Sequence, residues 1–189
     1  MAMREKSNVI LMKKRSAKGN FLSIRPGEKD FLLKFLAAFA FLFLVVLAFP
    51  MRPLLTLIAQ LVTAILNAAG TGALSQGTVI YSHGLFFEIV NECSSLVMIS
   101  LLAALLYATE GMRLHIKARS LAIGAAVLFL FNLARLSATI EAGVNYGNSA
   151  LDAIHFLLWI VDAVVVIALW AYFTGLHKEI GRERKPGRK

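Results

Sequence analysis

Apolar positions in this chain gather into five runs: Phe31–Phe49, Leu54–Ala69, Leu96–Ala108, Ser120–Ile140 and Ala150–Phe173. Four of them approach the roughly 20 residues that carry a helix across a bilayer. They predict membrane-spanning helices at about 31–50, 94–110, 119–140 and 151–174. The run from Leu54 is different. Its polar residues Thr56, Gln60, Thr63 and Asn67 are spaced four, three and four apart, which draws one stripe along a helix. Such a helix fits the outer membrane surface better than the bilayer interior, with the stripe toward water. Beyond it, Gly72, Gly77, Gly84 and the alternation Thr78-Val79-Ile80-Tyr81-Ser82 predict a short hairpin.

Composition fits that pattern. Apolar residues make up 58% of the chain and charged residues 16%, with a mean hydropathy of +0.71, far from a soluble domain. The expected class is an all-α integral membrane protein of about four transmembrane helices, one outer-surface amphipathic helix and a small extracytoplasmic hairpin. The first span follows nearly thirty residues, and Phe49-Pro50-Met51-Arg52 has no small-residue cleavage site, which predicts an uncleaved signal anchor.

The formal charge of +9 is unevenly placed. Seventeen of twenty Lys and Arg lie in residues 1–29, in the 110–119 loop and after His177. The positive-inside rule assigns those three segments to the cytoplasm. Residues 1–30 and 175–189 are then basic cytoplasmic tails around a membrane region at 31–174, with 51–93 and 141–150 facing outward. Attraction to anionic membrane lipid accounts for such tails, so no nucleic-acid partner is called for.

Three polar residues remain at membrane depth or at its mouth. Cys93 is the only cysteine, which excludes an internal disulfide and paired-cysteine redox or zinc motifs. It is either an inert thiol or a nucleophile, and a helix start favours a thiolate. Arg135 stands near the outer end of the third predicted span, and His155 near that of the fourth. At about 1.5 Å per residue, both fall roughly 6–8 Å below those ends. A thiol, an imidazole and a guanidinium in one layer suit acyl transfer: His155 as base, Arg135 stabilising a thiolate or oxyanion. Asn132, a helical step from Arg135, can orient it or act as a second donor. Asp152 can orient His155, while Asp162, deeper on the same helix face, is expected to pair structurally. Glu88 and Glu92 flank the cysteine outside the membrane. No ligand spacing points to a metal or other cofactor. The alternative is a non-catalytic assembly or scaffold protein whose polar residues lock helices together; only an enzyme should fail with serine in place of Cys93.

The run from Leu54 to Trp170 resembles an exosortase, and more narrowly the short exosortase H form. The pieces carrying the likeness are Leu66-Asn67-Ala68-Ala69-Gly70, Gly77-Thr78-Val79-Ile80, Phe87-Glu88-Ile89-Val90-Asn91-Glu92-Cys93-Ser94, Asn132-Leu133-Ala134-Arg135 and His155. The resemblance implies a membrane-embedded cysteine protease or transpeptidase of bacterial inner membranes, with Cys93, Arg135 and His155 as its catalytic set. It also implies substrates: exported proteins ending in a short motif, a transmembrane helix and a basic cluster. One departure stands out, for the family usually has glycine two residues after the cysteine, and this chain has Ser95.

Overall fold

The structure, a computed structural model, describes residues 26–49 and 51–175. Most of both predicted basic tails lies outside these residues. Five helices and a small sheet make up the rest: α1 (Pro26–Ala48), α2 (Arg52–Ala68), β1 (Leu74–Gln76), β2 (Val79–Ser82), β3 (Leu85–Glu88), α3 (Leu96–Ala108), α4 (Leu114–Tyr146) and α5 (Asn148–Thr174). A 3-10 turn, Asn91–Cys93, precedes α3.

α1, α4 and α5 are each long and apolar enough to cross a membrane. α3 is not. Its 13 residues span about 20 Å, against a hydrocarbon core of about 30 Å. The predicted span at 94–110 is therefore a shorter helix, because the chain around Cys93 folds as a tight turn instead of joining α3.

Both ends of the bundle are tied by specific contacts. At one end the Phe31 and Trp170 rings lie 6.0 Å apart, and Trp170 Nε1 donates to Thr109 Oγ1 at 2.9 Å. There Lys34 Nζ also meets Glu110 Oε1 at 2.6 Å, and that hydrogen bond and charge hold the Glu110 carboxyl below its usual range. At the other end, Asn91 Nδ2 donates to the Val46 carbonyl at 3.4 Å. α1 and α3 thus run antiparallel, and the start of α1, the end of α3 and the end of α5 share one end of the bundle.

Helix boundaries depart from the sequence reading at the opposite end. The third predicted span, 119–140, becomes a 33-residue helix to Tyr146, and the outward loop expected at 141–150 is nearly all helical. The apolar run stops at Ile140, but Glu141 and Asn145 are compatible with helix, and Asn145 Nδ2 bonds the Glu141 carbonyl at 3.0 Å. Only Gly147, at φ +83, ends α4 and turns the chain into α5. Gly143 lets the two arms close: a Cβ there would lie 2.7 Å from Leu151 Cδ1.

Against the far part of α4 pack α2 and the sheet. Leu55, Ile58, Ala59, Val62 and Leu66 of α2 bury with Ile80, Ile89, Leu133, Leu136 and Ile140. The predicted polar stripe of α2 does not all face water. Thr63 is buried with its hydroxyl unpaired among the described residues, and Asn67 clasps Ala73, donating to its carbonyl at 2.9 Å and accepting its N–H at 2.6 Å. Leu57 and Ile65 are exposed instead. Gln60 and Asn67 stay on the exposed side, so of the stripe only Thr63 is drawn into the face that packs on α4.

The expected hairpin is a three-stranded antiparallel meander in the order β1-β2-β3. Its second turn, His83-Gly84, has both φ values positive (50 and 78), the two-residue turn whose twist suits a hairpin. That turn sets the register Ser82↔Leu85, Tyr81↔Phe86, Ile80↔Phe87 and Val79↔Glu88.

Candidate functional site

The chain leaves β3 through Ile89 and Val90 and enters the turn that holds Cys93. Cys93 N donates to the Val90 carbonyl at 2.9 Å and Ser94 N to that of Asn91 at 3.0 Å. Ser94 Oγ donates to the same Asn91 carbonyl at 2.5 Å, and Ser94 and Ser95 are both buried. Cys93 therefore precedes the start of α3 rather than forming it. Its half-buried side chain packs against the core shared by α2, the sheet and α4.

α4 reaches this turn directly. Buried Asn132 donates from Nδ2 to the Cys93 carbonyl at 2.8 Å. Arg135 follows three residues later, on an adjoining part of the same helix surface. Its guanidinium is almost wholly buried and pairs with α5, Nη1 meeting Asp162 Oδ2 at 2.6 Å; the two side chains are 2% and 5% exposed. Among the described residues the buried Arg135 Nε–H has no partner. A guanidinium is thus held at one corner with a donor to spare.

The antiparallel course of α4 and α5 explains this pairing. Arg135 lies twelve residues before Gly147 and Asp162 fifteen after it, so the two are close to level. Both catalytic candidates on these helices lie farther from the helix ends than the predicted span boundaries put them. Arg135 is eleven residues from the end of α4, about 17 Å, and His155 is seven residues from the start of α5, about 10 Å.

His155 is half-buried and within electrostatic range of Arg135, Asp152 and Asp162. Asp152 is exposed one turn above it. Among the described residues, no hydrogen bond joins His155 to Asp152, or the Cys93 thiol to His155 or Arg135. Glu88 ends β3 and Glu92 lies in the cysteine turn, both exposed on a cleft of about 580 Å³ that Arg52, Thr56, Thr78 and Asn91 also line.

The structure thus joins Cys93 to Asn132 directly, Asn132 to Arg135 along α4, and Arg135 to α5 through Asp162. Asp162 pairs structurally, as its place in an apolar span predicts, and the structure names its partner as Arg135. Its signal was present, since an acid in an apolar span opposite an arginine needs a partner, but naming that partner required the length of the α4–α5 turn.

Searches of curated proteins and of solved structures return no match. The family profile described as "Transmembrane exosortase" matches residues 27–172, a stretch that takes in the Cys93 turn, the sheet and all five helices save their outermost residues. With a match over most of its length, this multi-pass membrane protein belongs to the transmembrane exosortase family.

Proposed function

We propose that this exosortase-family protein is a cysteine protease or transpeptidase acting on the C-terminal sorting signals of exported proteins, at the outer face of a bacterial inner membrane. The observation that carries the reading is the Asn132–Cys93 bond, which ties the turn of the single thiol to the part of α4 that bears a buried, anchored Arg135. Asp162 is the positioning residue in this scheme. Both tails and the 110–119 loop are then cytoplasmic and Cys93 faces the other side, an orientation that the charge distribution supports.

The chemistry runs in two steps. His155 takes the Cys93 proton, and the sulfur attacks the scissile carbonyl of the substrate. Substrate binding uncovers the buried Arg135 Nε–H, which then stabilises the oxyanion. The C–N bond then breaks, the leaving amine takes the proton from the imidazolium, and a thioester remains on Cys93. Water or an incoming amine loses a proton to His155, attacks the thioester and releases the thiol. Closure of substrate over the site brings thiol and imidazole into reach, which a resting site often lacks.

The test is cleavage of a tailed reporter in membranes, with expression and folding followed in parallel. Cys93→Ser abolishes it, since hydroxyl is a far poorer nucleophile than thiolate at neutral pH. Arg135→Lys also fails badly, because a point charge does not replace a planar fork. His155→Ala retains slow acylation. Near-normal cleavage by Cys93→Ser would overturn the enzyme and leave a scaffold, a reading that the α4–α5 ion pair also suits as a helix lock.

A further inference from the structure

The outer edge of β3 has backbone groups with no partner among the described residues. Ile89 N donates to the Thr78 carbonyl at 2.9 Å, which makes Thr78 and Ile89 a hydrogen-bonded pair of the β2–β3 ladder. By alternation along an antiparallel ladder, Phe87 and Leu85 also bond to β2. The N–H and C=O of Phe86 and Glu88, and the N–H of Val90, therefore point away from the sheet. Among the described residues none of these groups has a partner, and β3 has no neighbour beyond β2. The next group in line, the Val90 carbonyl, is taken by Cys93 N at 2.9 Å. So the open edge ends in the turn that carries the thiol.

Two further features mark the edge. Glu88 and Val90 line the cleft of about 580 Å³ beside α2, so there is room next to them. Phe87 projects from the opposite face and packs at the α4–α5 turn, 3.4 Å from where a Gly143 Cβ would lie. The edge thus stands near the hairpin that carries His155. Donors and acceptors repeating every second residue are matched by one kind of partner, an extended polypeptide. An unpaired edge is otherwise a liability that proteins cover.

We infer that β3 and Val90 bind the substrate polypeptide by adding it to the sheet as a fourth strand, laying the bond to be cut across the Cys93 turn. This rests on the acyl-transfer reading above and adds how the substrate is held. Recognition at this edge is mainly through the main chain, with side-chain choice confined to alternate positions.

The test uses the full chain in membranes and a secreted reporter fused to the C-terminal tail of an exported protein of the same cell. Phe86→Pro removes an outward N–H and leaves the β2 ladder bonded. It should raise KM about tenfold with kcat little changed, while Phe86→Ala raises it less than about threefold. In a Cys93→Ser background, Phe86→p-benzoylphenylalanine and Val90→p-benzoylphenylalanine should cross-link to reporter residues just before its transmembrane helix. The two sets should lie about four residues apart, as strand pairing requires. Cys93-dependent cleavage with an unchanged KM for Phe86→Pro overturns the edge inference and spares the enzyme. Without Cys93-dependent cleavage the enzyme reading falls and cross-linking decides. Cross-links four apart keep the edge as a chain-binding site, and their absence removes it.

Discussion

Lys34–Glu110 and Arg135–Asp162 have the same N–O separation, 2.6 Å, and sit in opposite settings. The first pair joins α1 to the turn after α3, with side chains 47% and 73% exposed. The second joins α4 to α5, at 2% and 5%. Distance alone would rank them equal, but burial separates them. Water and salt screen the exposed pair, and each partner regains full hydration when the other is removed. Neither partner of the buried pair has that recourse, so each depends on the other being present. The exposed pair is a surface contact, whereas the buried pair fixes the register of two helices and the aim of a guanidinium.

The sharpest way to break the comparison is to remove one charge from each pair. Asp162→Ala leaves a buried guanidinium unpaired and should cost about 3–5 kcal/mol, read as loss of folded protein in detergent thermal unfolding. A normal melt would show that Arg135 escapes to water.

Exchanging the buried charges sharpens it further. Arg135→Asp combined with Asp162→Arg should recover most of the lost thermal stability, because pair and level are kept. Reporter cleavage should stay absent, since the guanidinium no longer stands beside Asn132. Recovered cleavage would reduce Arg135 to a structural charge.

Asn132 supplies an intermediate case, a buried neutral donor. Asn132→Ala should cost about 1–3 kcal/mol by stranding the Cys93 carbonyl, and should raise the rate at which a thiol reagent labels Cys93. An unchanged labelling rate would separate Asn132 from the cysteine turn.

Glu110→Gln should have the smallest effect, leaving the thermal midpoint where it was. The sign with pH follows from the depressed Glu110 carboxyl. Whatever the pair contributes is present at neutral pH, and it is lost as pH falls below the ordinary carboxylate range through the lowered value. About 1 M salt, with a Debye length of about 3 Å, should erase it at neutral pH while leaving the buried pair intact.

Residues whose roles depend on local pattern were legible in the sequence. Apolar runs identified α1, α4 and α5, and the periodicity of Leu54–Ala69 identified α2 as a helix apart from them. Alternation and glycines marked the strands. Element ends were less legible. Apolarity stops at Ile140, yet helix runs to Tyr146, because a lipid boundary and a helix boundary are different things. Only the positive φ at Gly147 ends α4. Likewise, Cys93 reads as a helix start, but Ser94 and Ser95 fold into the turn between it and α3.

Sequence by itself determined that this chain is a multi-pass, helical membrane protein. That follows from hydrophobic run length and composition, since transfer to lipid is a sum over residues and needs no knowledge of neighbours. It also singled out Cys93, Asn132, Arg135 and His155, because polar groups in apolar runs demand an explanation wherever they end up. Tertiary structure alone decided which groups meet. Asn132 takes the Cys93 carbonyl across 39 positions and Arg135 takes Asp162 across 27. Such pairings depend on turn lengths, helix levels and which face each helix buries, and none of these is written in any one segment of the chain.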